Sequence, residues 1–285
     1  MISKEQFQQE IDLIIQNAIR EDVGDGDHSS LACIPPSAEG KAKLLVKDEG
    51  ILAGVAFAQQ VFNYVDEGLS MTVEIEDGSA VKYGDVAFYV SGSSQSILKA
   101  ERLVLNAMQR MSAMATKTHH YVLLLDGTGT QILDTRKTTP GIRALEKWAV
   151  TIGGGENHRF ALYDMIMLKD NHIDFAGGIR NAIAKTNTYL TQNHRNLKII
   201  VEARNLDEVK QILQGENVYR ILLDNFNYED TRKAVALIGK QCLTESSGGI
   251  NEETLRKYAE CGVNYISSGA LTHSVHNMDL SLKAV

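Results

Sequence analysis

Residues 198–225 read KIIVEARNLDEVKQILQGENVYRILLDN, two short apolar runs flanking one amphipathic stretch. KIIVEA and RILLDN are nearly continuous in apolar residues rather than alternating, which suits strands buried on both faces. Between them, NLDEVKQILQ has helical spacing, Asn205 where a cap belongs, and Asp207 and Glu208 in the first turn. Strand, helix, strand in so few residues is a βα unit, and its strands run parallel. The same rhythm extends outward through ILDT and MIMLKD upstream and CLTES and NYISS downstream, with starts near 132, 165, 198, 220, 242 and 264. The last three intervals are each about 22 residues, room for one strand, a helix of two to three turns and two short loops. Six such units predict an α/β barrel or part of one, with a doubly wound open sheet as the alternative.

Before residue 130 the pattern differs. Phe7, Ile11, Ile14, Ile15 and Ala18 recur at helical spacing between Ser3 and Glu21, and the turn-rich GDGD follows. Short β-type runs over Ala42 to Val46, Met71 to Ile75 and Val86 to Val90, with a helix near Val55 to Val65, read as an α+β layer. Lys99 to Leu125 has the periodicity of a connecting helix, and its methionines read as core filling.

The 285 residues, 44% hydrophobic and 23% charged, fit an ordinary globular chain of one barrel-sized domain or two smaller ones. A formal net charge of −7 argues against non-specific binding to nucleic acid or an anionic membrane, so an anionic ligand must be attracted locally. Cys33, Cys242 and Cys261 are odd in number and far apart, which predicts neither disulfides nor a zinc site and fits a reducing cytoplasm. The first ten residues, MISKEQFQQE, lack the apolar core of a signal peptide, and no run reaches a membrane-spanning length.

In a barrel, functional groups come from the C-terminal ends of the strands. Those ends here hold Arg136 and Lys137, then Lys169 to His172, then Glu202, then Asp224 and Asn225, then Ser246 to Gly249, then Ser268 and Gly269. One strand-end charge is merely the first solvated residue after a core, but six ends in phase point to a site. SSGGINEETL and SSGALTHS are glycine turns before helices, an arrangement compatible with phosphate or simply with tight turning. GGGENHRF adds His158 and Arg159, so two guanidiniums, two ammoniums and an imidazole fall on neighbouring loops. Such crowding makes sense around a ligand of several negative charges, with arginine gripping carboxylates and lysine meeting phosphate. Glu202 and Asp224 are open to several readings: a sugar diol, Mg²⁺, a developing positive centre, or simple ion pairing with the neighbouring lysines.

ILDTRKTTPGIRALEKWAVTIGGGENHR, with MIMLKDNHI, VEARNLDEV, ILLDNF, ESSGGI and ISSGALTHS, closely resembles the quinolinate phosphoribosyltransferases. EDVGDGDHSS and AERLVLNAMQRMSAMAT extend the likeness from about Glu21 to the C-terminus. The resemblance implies an N-terminal α+β sandwich domain over residues 1–113, joined by 275–285, and an incomplete α/β (TIM-like) barrel over 114–274. It implies transfer of phosphoribose from 5-phosphoribosyl 1-pyrophosphate to quinolinate with loss of CO₂, with Mg²⁺, in a homodimer to which Arg102 is contributed across the interface. By the same resemblance Arg102, Thr135, Arg136, Lys137, His158, Arg159 and Lys169 meet quinolinate. The donor falls to Lys137, Lys169, His172, Glu202, Asp224, Ser247, Gly248, Gly249, Ser268, Gly269 and Ala270, with Lys137, Lys169, Glu202 and Asp224 catalytic. Ala113, Ala161, Arg204 and Ser268 depart from the family pattern, and Arg204 bears on the loop beyond Glu202. Three rivals remain on residues alone: a sister phosphoribosyltransferase for another acid, a Schiff-base lyase using Lys169, and a non-catalytic anion-binding module.

Overall fold

The computed structural model describes residues 2–285, and its contacts divide it into two compact units. The first takes Ser3–His119, Lys137–Gly154 and Leu271–Val285, and the second His120–Arg136 and Gly155–Ala270. In chain order the elements begin with α1 (Lys4–Val23), α2 (His28–Cys33), β1 (Glu39–Val46), β2 (Gly50–Ile51), α3 (Val55–Val65), β3 (Ser70–Val73), β4 (Ala80–Val81), β5 (Val86–Ser93) and α4 (Ser94–Leu124). There follow β6 (Gln131–Leu133), α5 (Arg143–Ile152), β7 (Ile166–Leu168), α6 (Asp170–Ala176), α7 (Ile179–Gln192), β8 (Ile199–Ala203), α8 (Leu206–Ile212) and β9 (Val218–Asp224). The chain ends with α9 (Tyr228–Ile238), β10 (Leu243–Ser247), α10 (Glu252–Ala259), β11 (Tyr265–Ser267), α11 (Ala270–His273) and β12 (Leu280–Ala284).

In the first unit an antiparallel sheet of order β12-β1-β5-β3 is covered by helices. Alternation along β1 turns Ala42, Leu44 and Val46 inward, and Phe62 of α3 packs edge-on against Phe88 of β5 at 5.9 Å. Met108, Met111 and Met114 on α4 are at most 1% exposed, so the methionine run is core filling, as its spacing predicts. That helix begins five residues before the expected Lys99 because β5 runs straight into it, with Ser93 Oγ accepting the Ser96 N–H. The C-terminal strand β12 returns to pair with β1 from Ala42↔Ala284 to Val46↔Leu280. The segment Lys137–Gly154, which the sequence reading set with the barrel, has its contacts in this unit: α5 packs on α1, with Phe7 edge-on to Trp148 at 5.6 Å.

The second unit is built on a six-stranded parallel sheet of order β6-β11-β10-β9-β8-β7. From β7 to β11 each strand lies beside its predecessor, with no reversal of direction, and β6 then joins β11. A doubly wound sheet would reverse at a switch point, so the winding is that of a barrel. Closure would require β6 to pair with β7 as well, and the sheet has no such pair, so the barrel is incomplete. The free side of β6 is instead met by the chain at Glu156, whose N–H donates to Ile132 O at 2.9 Å and whose carbonyl accepts the Asp134 N–H at 3.2 Å. Registers Glu202↔Leu222, Glu245↔Leu222 and Ser247↔Asp224 set Glu202, Glu245, Ser247 and Asp224 on one face, together with Arg220 two residues before Leu222.

Among the described residues no helix is long and apolar enough to cross a membrane.

Candidate active site

β6 ends at Leu133, and the chain leaves it through Asp134, Thr135 and Arg136. Asp134 is fully buried and accepts the His158 N–H at 2.8 Å, tying the loop after β6 to the segment GGENHR. Arg159, 7% exposed, follows directly, and its Nη1 donates to Met165 O at 3.3 Å. Asp164 shapes the intervening turn by accepting the Phe160 and Ala161 N–H groups, both at 2.8 Å. Burial pulls the Arg159 pKa down, the charge of Arg136 pulls it further, and Asp164 opposes both. The Nε of Arg136 is buried without a hydrogen-bond partner. Two guanidiniums are thus within electrostatic reach of each other in partial burial, an arrangement that an anion relieves.

His158 is 8% exposed and faces inward. Its Nδ1 accepts the Arg159 N–H at 2.7 Å, and its Nε2 lies 3.3 Å from Glu245 Oε2. Glu245 also receives Arg220 Nη1 at 2.7 Å. Burial would raise the Glu245 carboxyl, but His158 and then Arg220 hold it down to about 2.

A second group gathers at the ends of β7, β8 and β9. Lys169, half exposed, brings Nζ to 3.8 Å from Glu202 Oε2. Burial raises the Glu202 carboxyl, Asp224 raises it further, Lys169 lowers it and Asp170 raises it. The negative charges of Asp224 and Asp170 thus act on Glu202 against its ionisation, an effect that a divalent cation or a cationic centre reverses. Among the described residues no set of three His, Cys, Asp or Glu is arranged to hold a metal by protein donors alone. Mg²⁺ commonly uses one or two carboxylates with substrate oxygens and water, so this donor set fits it. His172 Nδ1 accepts the Lys169 N–H at 3.2 Å, which turns the chain into α6. A lysine that is half in water beside a carboxylate is poorly suited to act as a Schiff-base nucleophile, which wants desolvation.

The glycine turn after β10 is held by Asn225, whose N–H donates to Ser247 O at 2.9 Å and whose side chain donates to Asp224. Gly248 has φ +95°, and a Cβ there would meet the Asn225 side chain and, at 3.0 Å, its backbone nitrogen. The Asn251 side chain accepts the Glu253 and Thr254 N–H groups, both at 3.1 Å. These first-turn donors of α10 are therefore taken, and an anion at Ser247-Gly248-Gly249 would meet the turn rather than the helix end. After β11, the Ser268 N–H donates to Leu133 O at 3.0 Å, and Gly269 and Ala270 open a helix of only four residues.

Most residues anticipated from sequence thus lie in the second unit, at the C-terminal ends of one sheet. Arg102 and Lys137 belong to the first unit. Arg102 is exposed on α4, beside a cavity of about 670 Å³ that also takes Glu21, Asp22, Arg110 and Glu146 into its wall. Lys137 is exposed, and its carbonyl accepts the Thr272 hydroxyl at 2.8 Å. Arg204, the departure beside Glu202, donates to Glu208 through both its main chain at 2.7 Å and its Nε at 2.9 Å, and reaches Asp174 at 3.2 Å. It closes the base of α8 on α6 and adds no charge to the acid pair. Sequence reasoning passed over Asp134, Asp164, Arg220 and Glu245. Arg220 and Glu245 do carry a signal, since a charge inside an apolar strand run needs a buried partner.

Two domain families match the chain: "Quinolinate phosphoribosyl transferase, N-terminal domain" over residues 27–112 and the corresponding C-terminal domain over 114–283. Quinolinate phosphoribosyltransferase [decarboxylating] 1b of Nicotiana tabacum is 44% identical over 286 residues, covering 95% of this chain and 81% of that one. The probable nicotinate-nucleotide pyrophosphorylase [carboxylating] of Bacillus subtilis is 40% identical over 270 residues, covering 94% and 91%. The solved nicotinate-nucleotide pyrophosphorylase of Francisella tularensis superposes with a TM-score of 0.89 at 35% identity, over 97% of this chain and 96% of that one. A strand order that winds as an open barrel, a cation group and an acid group at its strand ends, and likeness over nearly the whole length agree: the chain belongs to the quinolinate phosphoribosyltransferase family.

Proposed function

We propose that the chain joins quinolinate to the phosphoribosyl group of 5-phosphoribosyl 1-pyrophosphate, yielding nicotinate mononucleotide, pyrophosphate and CO₂ for NAD biosynthesis. The observation that carries this reading is the pairing of Arg136 with buried Arg159, set at the same sheet end as the Glu202 and Asp224 acids. The guanidiniums suit the two carboxylates of quinolinate, and bidentate contacts fix the ring so that its nitrogen faces the ribose. As the C1–oxygen bond to pyrophosphate breaks, positive charge grows on the ribose and the ring nitrogen forms the new bond. Glu202 and Asp224 hold ribose hydroxyls and shield that charge, and Lys137 and Lys169 receive the departing phosphates. The same acids would hold Mg²⁺, which neutralises pyrophosphate charge when bound. The quaternised ring then stabilises the electron pair left on carbon as CO₂ departs, and a proton replaces it. Thr135, His158, His172, Ser247-Gly248-Gly249 and Ser268-Gly269-Ala270 complete the two substrate contours. Arg102 reaches the site of a second copy in a homodimer, and three free cysteines suit a cytoplasmic setting.

The test is release of labelled CO₂ from carboxyl-labelled quinolinate with 5-phosphoribosyl 1-pyrophosphate and Mg²⁺. Nicotinate mononucleotide should form in equal amount. Turnover of nicotinate but not quinolinate would assign the chain to the sister reaction.

A further inference from the structure

Glu245 is fully buried at the middle of β10, and its Oε2 has two cationic or donor neighbours drawn from different segments. From β9 comes Arg220 Nη1 at 2.7 Å, its guanidinium lying 4.0 Å from the Tyr265 ring centre. From the segment after α5 comes His158 Nε2 at 3.3 Å. The other ring nitrogen, Nδ1, accepts the Arg159 N–H at 2.7 Å, so the ring proton sits on Nε2 and faces Glu245. Asp134 completes the grip by accepting the His158 N–H at 2.8 Å. The main chain of His158 is therefore held by the buried Asp134 carboxylate, its ring lies 3.3 Å from the buried Glu245 carboxylate at a charge-pair distance outside hydrogen-bond alignment, and the next residue is Arg159.

A buried ion pair of this kind is weak evidence for stability, because well-packed apolar residues of similar volume serve as well or better. Its third contact, on His158, gives it another use. We propose that Arg220 and Glu245 are positioning residues for the quinolinate pocket: the pair orients the His158 ring, and the ring sets the main chain from which Arg159 reaches the substrate carboxylate. The inference rests on the function proposed above. Neither Arg220 nor Glu245 contacts the ligand in this scheme. Arg220 keeps Glu245 ionised and aimed, Glu245 fixes the tautomer, and Nδ1 fixes the peptide plane. The logic is that of a carboxylate orienting a histidine one step removed from the reacting group.

The experiment compares two double variants in the full-length protein. Arg220→Met with Glu245→Leu removes both charges and the acceptor that faces His158, while filling the space with apolar groups. Arg220→Met with Glu245→Gln removes both charges but keeps an amide oxygen for Nε2. Titration calorimetry should show quinolinate affinity reduced about ten- to a hundredfold in the first and largely recovered in the second, with 5-phosphoribosyl 1-pyrophosphate affinity within about twofold of wild type in both. Unchanged quinolinate affinity in the first variant overturns the proposal. So does equal loss in the two variants, or parallel loss of the phosphoribosyl donor, since each marks a merely structural pair. If either variant fails to fold, nitrogen NMR of wild-type His158 decides: a proton on Nε2 supports the scheme, and a neutral ring protonated on Nδ1 ends it. Wild-type protein that neither binds nor turns over quinolinate would refute the proposed function instead, so the two failures are distinguishable.

Discussion

At the scale of single residues, the arginine at position 159 concentrates both the electrostatic cost and the chemical reward of the site. It is 7% exposed, beside a second guanidinium, and opposed only by Asp164 among the charges that shift it. Arg159→Ala should weaken quinolinate binding by about 1.5–3 kcal/mol, the worth of a charge-assisted hydrogen bond, while leaving the fold intact. Calorimetry showing unchanged affinity would remove Arg159 from the pocket. Glu245 makes a separate prediction in acid. Its folded carboxyl is held down to about 2 from an ordinary 4.5, so the stability it contributes is present above the ordinary value and is lost as pH falls through the folded one. Thermal melting followed downward from pH about 5 should show a loss that the Arg220→Met, Glu245→Leu protein lacks. Equal acid sensitivity in both proteins would contradict the assignment. These are also the residues least legible in the sequence. Arg136 and Lys169 stand out because they are charges at the ends of apolar runs, and Arg159 because it adjoins His158 in the glycine-led segment GGGENHRF. Glu245 and Arg220 lie within such runs, and their pairing depends on the β9–β10 register, which no local pattern encodes. Asp134 opens DTRK, where the basic neighbours draw the eye, although it is the member that is 0% exposed.

Among the elements, the turn that follows β10 is the most constrained. Gly248 and Gly249 both have positive φ, +95° and +62°, but only Gly248 faces an immediate neighbour, Asn225. Gly249→Ala should cost about 1 kcal/mol of stability from backbone conformation alone. Gly248→Ala adds a clash that pushes on Asn225, and Asn225 donates to Asp224, so it should also lower affinity for 5-phosphoribosyl 1-pyrophosphate by roughly tenfold or more. Equal effects of the two substitutions on donor binding would argue against the turn as a phosphate contour. Elements were the most legible level. Val55–Val65 is the helix its periodicity predicts, and Asn205 and Asn251 cap α8 and α10. What stayed hidden was partnership: α5 follows a barrel strand in sequence, yet it packs on α1, with Trp148 edge-on to Phe7. An apolar stripe settles which side of a helix is buried and leaves open what covers it.

For the molecule as a whole, the proposed homodimer makes the sharpest demand, because Arg102 and Arg159 would then serve one site from two chains. Arg102→Ala and Arg159→Ala proteins, each inactive alone, should recover about a quarter of wild-type activity when subunits are mixed and re-assorted, since half the dimers are hybrid and each hybrid rebuilds one of two sites. Absence of recovery, with subunit exchange verified by mass spectrometry, would return Arg102 to its own chain or to no site. The barrel winding was legible from six apolar runs, which allowed a whole barrel or part of one, and only the family resemblance implied that it stays open. β6 and β7 are each only three residues long, and a missing pair leaves no mark in composition.

That gap between β6 and β7 has an experimental use. The chain at Glu156 is joined to β6 by two backbone hydrogen bonds, and His158 and Arg159 follow within three residues. A short bridge on a sheet's rim opens more readily than ladders inside it. Deuterium uptake at the Asp134 and Glu156 amides is therefore a native, label-free gauge of how firmly the arginine loop is seated, and a dianionic pyridine that clamps the loop would register as slowed exchange at those two positions.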